Sequence, residues 1–395
     1  MATKQTPNII VSLLDNDFYK FTMQNAVIKL FPFARVRYCF INRGQHAFPA
    51  GFAVALRAQV AAMAQLQLSV SEKNYLTRQC PYLDPSYLDF LSGFRFDPAE
   101  VHIRQQGTEL AVEIEGLWYR SILWEVPLLA LISELYYQFQ PQKRLPTEQV
   151  AEIARNKMLH YKNMGIRIAE FGTRRRHSFQ VHQQVVEVLK ATGGESFTGT
   201  SNVALAHRWQ VRPIGTHAHE WFMFHGAGYG FKMAGSMALE NWVNVYRGDL
   251  GIALSDTYTS KVFFESFDKK FSKLFDGVRH DSGDPIAFAR QAIQHYESMH
   301  IDPLSKTIIF SDSLTPEKVD RIAGFCRGKI GMSFGIGTNF TNDVGLEPLN
   351  IVIKMQSACP ESGRWLGVVK LSDEPGKYTG DPEMIALAKT VLGLQ

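Results

Sequence analysis

The residues most able to do chemistry fall in short polar segments, and several of these suit phosphate. Phe171 to Ser178 reads FGTRRRHS, with Arg174, Arg175 and Arg176 in a row. Guanidinium forks match phosphate oxygens, and Gly172 lets the backbone approach them. A basic run also suits a solvated loop. Its place just after an apolar stretch favours phosphate, with one arginine expected on a ligand and another structural. Gly335 to Asn339 reads GIGTN, which fits either a phosphate cradle of bare backbone N–H groups or an ordinary turn. Arg279 to Pro285 reads RHDSGDP. Carboxylates near phosphate serve hydroxyls or hydrated magnesium, so Asp281 is expected to act there, with Asp256 and Asp312 after other apolar stretches. Asp284 before Pro285 is better explained as a helix cap. Gly215 to Trp221 reads GTHAHEW and holds His217, His219 and Glu220. No HExxH or cysteine pair accompanies them, so a nucleophilic or proton-transferring histidine fits better than zinc. Near the start, DNDFYK offers Asp17 as a helix cap and Tyr19 as an aromatic face for a flat ligand.

Positioning these groups requires elements whose ends lie together. From about residue 165, short apolar strands are each followed by a polar loop and a helical pattern. Strand ends are expected near Phe171, Phe197, Ile214, Leu254, Val278, Phe310, Phe334 and Ile353. This alternation predicts a parallel sheet, and close to eight repeats predict a barrel. The polar segments follow these strands, where an α/β sheet places its ligands. Before residue 165 the pattern is mixed. It predicts a helix from Asp17 to about Val27, a strand over 35–42, a helix over 51–66, and a hairpin of 101–105 with 110–114. Two further helices are expected over 121–138 and 147–162.

Composition narrows the class. At 395 residues the chain has room for two or three domains. Lys and Arg total 42 against 38 Asp and Glu, and a net charge of only +4 does not suggest a nucleic-acid binder. Cys39, Cys80, Cys326 and Cys359 are far apart, without metal-ligand spacing, which fits a reducing compartment. Asp15, Asp17 and Lys20 interrupt any signal-like apolar run, and no apolar run has membrane-spanning length. A soluble cytoplasmic protein is expected.

In order, DNDFYK, FGTRRRHS, GTSN, GTHAHEW, RHDSGDP, SDS and FGIGTN resemble the shorter, bacterial type of nicotinate phosphoribosyltransferase, over nearly the whole chain. The resemblance implies an irregular α/β barrel with a second, smaller α+β domain built largely from the N-terminal segment. The expected division is 1–140, then 141–360 for the barrel, then 361–395 packing back on the smaller domain. It implies nicotinate mononucleotide and pyrophosphate as products of nicotinate and phosphoribosyl pyrophosphate, in NAD salvage. It also implies coupling to ATP through a phosphohistidine, and magnesium held mainly through substrate phosphates. A homodimer with shared active sites is expected.

Position by position, the resemblance makes His219 the phosphorylated histidine and leaves His217 at a variable place. It makes Phe171 and Tyr19 the walls around the pyridine ring, with Tyr19 reaching from a partner subunit. Arg174 becomes a phosphate ligand, and Arg279 faces the ribose or the pyridine substituent. Asp256, Asp281 and Asp312 face ribose and magnesium, while Gly335, Gly337 and Lys354 hold the product's 5′-phosphate. Ser201 stands where nicotinamide-using relatives carry aspartate. A serine can donate to a carboxylate, so the acid is expected as substrate rather than the amide. Competing readings are a quinolinate-using sister enzyme, a Schiff-base aldolase using Lys354 or Lys370, and a non-catalytic sensor of phosphoribosyl compounds.

Overall fold

The computed structural model describes residues 7–361, 363–374 and 377–394. Strand β1 (Arg35–Asn42) opens with alternating exposed and buried residues, and β2 (Val101–Gln106) and β3 (Glu109–Leu117) largely do the same. That period suits a sheet covered on one face. Gly107, at φ 56°, makes the tight turn between β2 and β3.

The chain then changes character. The strands β4 (Ile168–Glu170), β5 (Phe197–Thr200), β6 (Arg247–Leu250), β7 (Ile252–Leu254), β8 (Gly277–His280), β9 (Thr307–Phe310) and β10 (Gly331–Ile336) are short and separated mostly by helices. Six of them form a parallel sheet in the order β5-β4-β10-β9-β8-β7. The α/β alternation is therefore as expected, but two of the anticipated strands lie elsewhere. Near Ile214 the chain makes only an isolated parallel bridge, Thr200 to Pro213. The stretch through Ile353 is β11 (Ile351–Cys359), which pairs antiparallel with β1. Its alternation of Ile351, Ile353 and Met355 with Lys354 and Gln356 is the pattern of a one-sided sheet, which a doubly covered parallel strand would not show. With β12 (Leu366–Gly367), the antiparallel sheet runs β12-β11-β1-β3-β2.

One hydrophobic core runs through both sheets, and the helix Glu125–Phe139 lies within it, buried from Glu125 to Leu135. A smaller cluster joins Val369, Leu371 and Ala388 to Phe231, Ala234 and Tyr258, so the chain beyond β12 lies against the helix Phe231–Tyr246. Helix starts follow local chemistry. Asp284 accepts from the Ala287 N–H at 2.7 Å with Pro285 in the first turn, as its sequence suggests. The helix Phe18–Leu30 also starts where expected, yet Asp17 makes no side-chain capping bond. Its carboxylate is used elsewhere. No helix among the described residues is long and apolar enough to cross a membrane.

Candidate active site

The loops after the parallel strands converge, and the first of them is braced by buried charge. Glu170, at the end of β4, lies 2.8 Å from His182 Nε2 and accepts from Thr200 Oγ1 at 2.5 Å and from the Gly172 N–H. Burial opposes its ionisation, but His182 and these donors outweigh that and hold it below the usual carboxylate range. The three arginines that follow divide their work. Arg176 is fully buried and grips Asp15 with Nη1 at 2.6 Å and Nη2 at 2.8 Å, so it is structural. Arg175 is packed in, and burial, with Arg174 and Arg43 beside it, pushes it down to about 10. Arg174 keeps 41% of its side chain exposed, 3.7 Å from Asp17 and 3.8 Å from Glu125, and is the arginine placed to meet a ligand.

Phe171 leaves β4 beside the GIGTN loop. A Cβ on Gly335 would lie 3.2 Å from the Phe171 ring, and one on Gly337 would lie 3.1 Å from the Phe171 carbonyl oxygen. These glycines therefore permit the two loops to touch. The helix that follows, Thr338–Thr341, is a single turn.

Tyr19 lies, within the chain, beside the loop that leads to His219. It is 5% exposed and packs on Gly215, where a Cβ would come 2.9 Å from the Tyr19 nitrogen. Burial pushes its hydroxyl well above the ordinary range, although Arg174 of the same chain opposes this. Ser201 has a partner within the chain. It is fully buried, and its hydroxyl donates to Asp17 Oδ1 at 2.6 Å, so in this arrangement the proton is already committed. Asp17 Oδ2 has no hydrogen-bond partner among the described groups, and burial raises the Asp17 pKa against the pull of Arg174 and Ser201. Asp17 is thus a site residue that sequence reading treated as a cap. Lys20 was missed altogether: buried, it pairs at 2.5 Å with both Glu125 and Glu220. The DNDFYK segment carried both, but only the tertiary contact distinguishes them from ordinary helix-start residues.

His219 opens the helix His219–Tyr229 and stands among four side chains. Its Nδ1 is 3.2 Å from Thr257 Oγ1. Its Nε2 is 2.9 Å from Lys370 Nζ, 3.0 Å from Asp281 and 3.6 Å from Asp256. Burial first, and then the Lys370 charge, push His219 down to about 4 against the two carboxylates, so the ring is neutral near pH 7. Asp256 accepts from Ser282 Oγ at 2.6 Å and lies 3.2 Å from Lys370. Asp281 accepts from Ser311 at 2.6 Å, with Arg279 4.0 Å away. Burial opposes ionisation of both acids, but His219 and the neighbouring cations hold them below their usual range.

The other sequence candidates separate. His217 is buried between Phe222 and Trp242, and its Nε2 accepts from the Leu254 N–H at 3.3 Å. Asp312 follows β9 as expected, but it accepts from its neighbour Ser313 and is not part of the His219–Asp256–Asp281 group. Lys354 reaches in from the antiparallel sheet. Burial and the nearby Lys370 push it down to about 8, with Glu125 opposing. Lys370, from the C-terminal segment, is the contact to His219 that no motif announced. His219, Asp256 and Asp281 offer ligand atoms within 4.8 Å of one another. The ring nitrogen and the Lys370 ammonium make this a poor seat for a resident magnesium ion, which prefers oxygen ligands.

Cations, a pair of carboxylates held ionised and a neutral histidine brought together suit group transfer from a polyphosphate. Two family models match the chain. The nicotinate phosphoribosyltransferase (NAPRTase) N-terminal domain covers residues 14–133, and the nicotinate phosphoribosyltransferase (NAPRTase) family covers residues 166–395. The chain is 67% identical over 383 residues to a nicotinate phosphoribosyltransferase of Chromohalobacter salexigens, covering 97% of this chain and 98% of the relative. It is 49% identical over 386 residues to that of Desulforapulum autotrophicum, covering 97% and 99% of the two chains. Among solved structures, the nicotinate phosphoribosyltransferase of Porphyromonas gingivalis superimposes with a TM-score of 0.95 at 49% identity, covering 98% of this chain and all 100% of that one. A putative one from Saccharomyces cerevisiae gives a TM-score of 0.93 at 33% identity, covering 99% and 100%. With both halves matched by their own models and a relative two-thirds identical along its length, the chain belongs to the nicotinate phosphoribosyltransferase family.

Proposed function

We propose that this protein is an enzyme joining nicotinate to phosphoribosyl pyrophosphate, giving nicotinate mononucleotide and pyrophosphate in NAD salvage. The observation that carries the reading is a run of cations drawn from both sheets and the C-terminal segment: Arg174 beside Glu125, Lys354 near Arg174 and Lys370, and Lys370 between His219 and Asp256.

As pyrophosphate departs, the anomeric carbon gains positive charge and the leaving group keeps its electron pair. Arg174 suits the leaving polyanion, with magnesium entering on the substrate phosphates, while Arg279 suits the ribose or the pyridine substituent and Lys354, with Gly335 and Gly337, the 5′-phosphate. Asp256 and Asp281, held ionised, suit the transient cation. Phe171 and Tyr19 hold the pyridine ring so that its unprotonated nitrogen faces the anomeric carbon, a contribution of position. No general base is needed. Ser201, whose hydroxyl proton goes to Asp17, acts on substrate choice through that pair rather than as a free donor to the nicotinate carboxylate.

His219, neutral and facing the acids, is read as the residue phosphorylated from ATP, coupling hydrolysis to turnover. The cytoplasmic location and the homodimer belong to the same reading.

The test uses ring-labelled nicotinate with phosphoribosyl pyrophosphate and magnesium, with and without ATP, and nicotinamide in parallel. Labelled mononucleotide from nicotinate, increased by ATP, is expected. Product from nicotinamide alone overturns the substrate assignment, and product unaffected by ATP removes the coupling.

A further inference from the structure

The geometry points to Lys20 as a positioning residue for Arg174: by holding Glu125, it keeps the guanidinium open to the phosphates of the substrate. This deepens the proposed reaction and rests on its reading of Arg174 as a phosphate ligand.

Three helices begin around one ammonium. Lys20 lies in the first turn of the helix Phe18–Leu30, Glu125 in that of Glu125–Phe139 and Glu220 in that of His219–Tyr229. A helix N-terminus favours acids and disfavours a cation, so the two glutamates suit their places and Lys20 does not. Its partners hold it there. The side chain is fully buried, with Nζ 2.5 Å from Glu125 Oε2 and 2.5 Å from Glu220 Oε1. The ring centres of Tyr19 and Tyr38 lie 5.7 Å and 5.8 Å from the same Nζ. Burial opposes charge on Lys20, but the two carboxylates outweigh it and hold the ammonium above its ordinary range.

Arg174 has two acids near it, and each is held by another donor. Its Nε is 3.7 Å from Asp17 Oδ2 and its Nη1 is 3.8 Å from Glu125 Oε1, both beyond hydrogen-bond distance. Asp17 accepts from Ser201 Oγ at 2.6 Å, and Glu125 is engaged by Lys20. The guanidinium therefore stays partly exposed instead of closing its fork on a carboxylate. Glu125 also supports the charge on Lys354, so an acid released from Lys20 would draw on two cations of the site.

The two glutamates answer the loss of Lys20 differently. Burial opposes ionisation of Glu125, but Lys20, Arg174 and Lys354 outweigh it and hold the acid below its usual range. Burial, opposed by Lys20 and reinforced by Glu125, raises Glu220. Without the ammonium, Glu220 takes up a proton. Glu125 stays charged against Arg174 and Lys354, and its freed carboxylate closes on Arg174. A phosphate must then displace it.

The experiment measures pyrophosphate binding with magnesium by calorimetry, and the KM for phosphoribosyl pyrophosphate. It uses full-length wild type, Lys20→Met, and Lys20→Met combined with either Glu125→Gln or Glu220→Gln. Lys20→Met is expected to weaken both quantities by about tenfold or more, the scale of a hydrogen bond to a charged group. Its kcat should fall less than its KM rises. Adding Glu125→Gln should restore most of the lost affinity, and adding Glu220→Gln should not. Each double variant removes one buried acid with the lysine, so a merely structural lysine would give both the same affinity. Equal affinity in the two doubles, or wild-type affinity in Lys20→Met, overturns the proposal. If Lys20→Met does not fold, the comparison of the doubles decides by itself. Wild type that binds pyrophosphate but forms no mononucleotide overturns the proposed reaction instead, and the binding comparison still decides the role of Lys20.

Discussion

His219 is chemically unusual for where it sits: two carboxylates approach it, yet burial and Lys370 keep it neutral. Replacing it with alanine should remove stimulation by ATP while leaving ATP-independent turnover measurable. Steady-state rates with and without ATP check this, and full stimulation in His219→Ala would reject the assignment. Ser201 and Asp17 form the second decisive pair. Ser201→Asp would place a carboxylate where a buried hydroxyl now donates at 2.6 Å to another carboxylate. One of the two must then take up a proton or repel the substrate's negative charge. The kcat/KM for nicotinate should fall by about tenfold or more, and assays with nicotinamide show whether the preference moves. An unaltered preference would free Ser201 from any part in it.

At the scale of elements, the site depends on loops that touch because glycine leaves room. In Gly335→Ala the new methyl would crowd the Phe171 ring at 3.2 Å. Overpacking of this kind costs about 1–3 kcal/mol when it cannot relax. Here the ring can yield at the expense of its stacking position, so a raised KM for nicotinate is expected with a smaller loss of stability. An unchanged KM would show that Phe171 does not wall the pyridine. The Arg176–Asp15 pair ties the loop after β4 to the N-terminal segment. Arg176→Met leaves Asp15 buried with one remaining donor, Asn202 at 2.7 Å. Breaking a buried pair on one side costs about 3–5 kcal/mol, which denaturant unfolding would reveal. A change below about 1 kcal/mol would mean that solvent reaches Asp15.

At the scale of the molecule, several histidines are buried as neutral rings. His219 and His225 are both pushed down to about 4, chiefly by burial. Their unfolded counterparts titrate near 6.5, so between pH 6.5 and 4 the unfolded chain binds more protons than the folded one. Stability should therefore fall as pH is lowered through that window, with these groups adding nothing further below about 4. Thermal unfolding of wild type and His225→Gln across the window measures the effect, and an identical slope for both would exclude His225.

The sequence alone determined the α/β alternation, the strand-end loops, the capping role of Asp284 and the family, because period, turn chemistry and motif order are local properties. Tertiary structure decided what depends on distance. It moved the Ile353 stretch into the antiparallel sheet, because one-sided alternation pairs best where only one face is covered. It separated Arg174 from Arg176 by burial, gave the Ser201 proton to Asp17, and brought Lys370 151 residues back along the chain to His219. Hydrogen bonds and charge pairs act over a few ångströms in space, and nothing in linear spacing records which remote side chains the packing will bring that close.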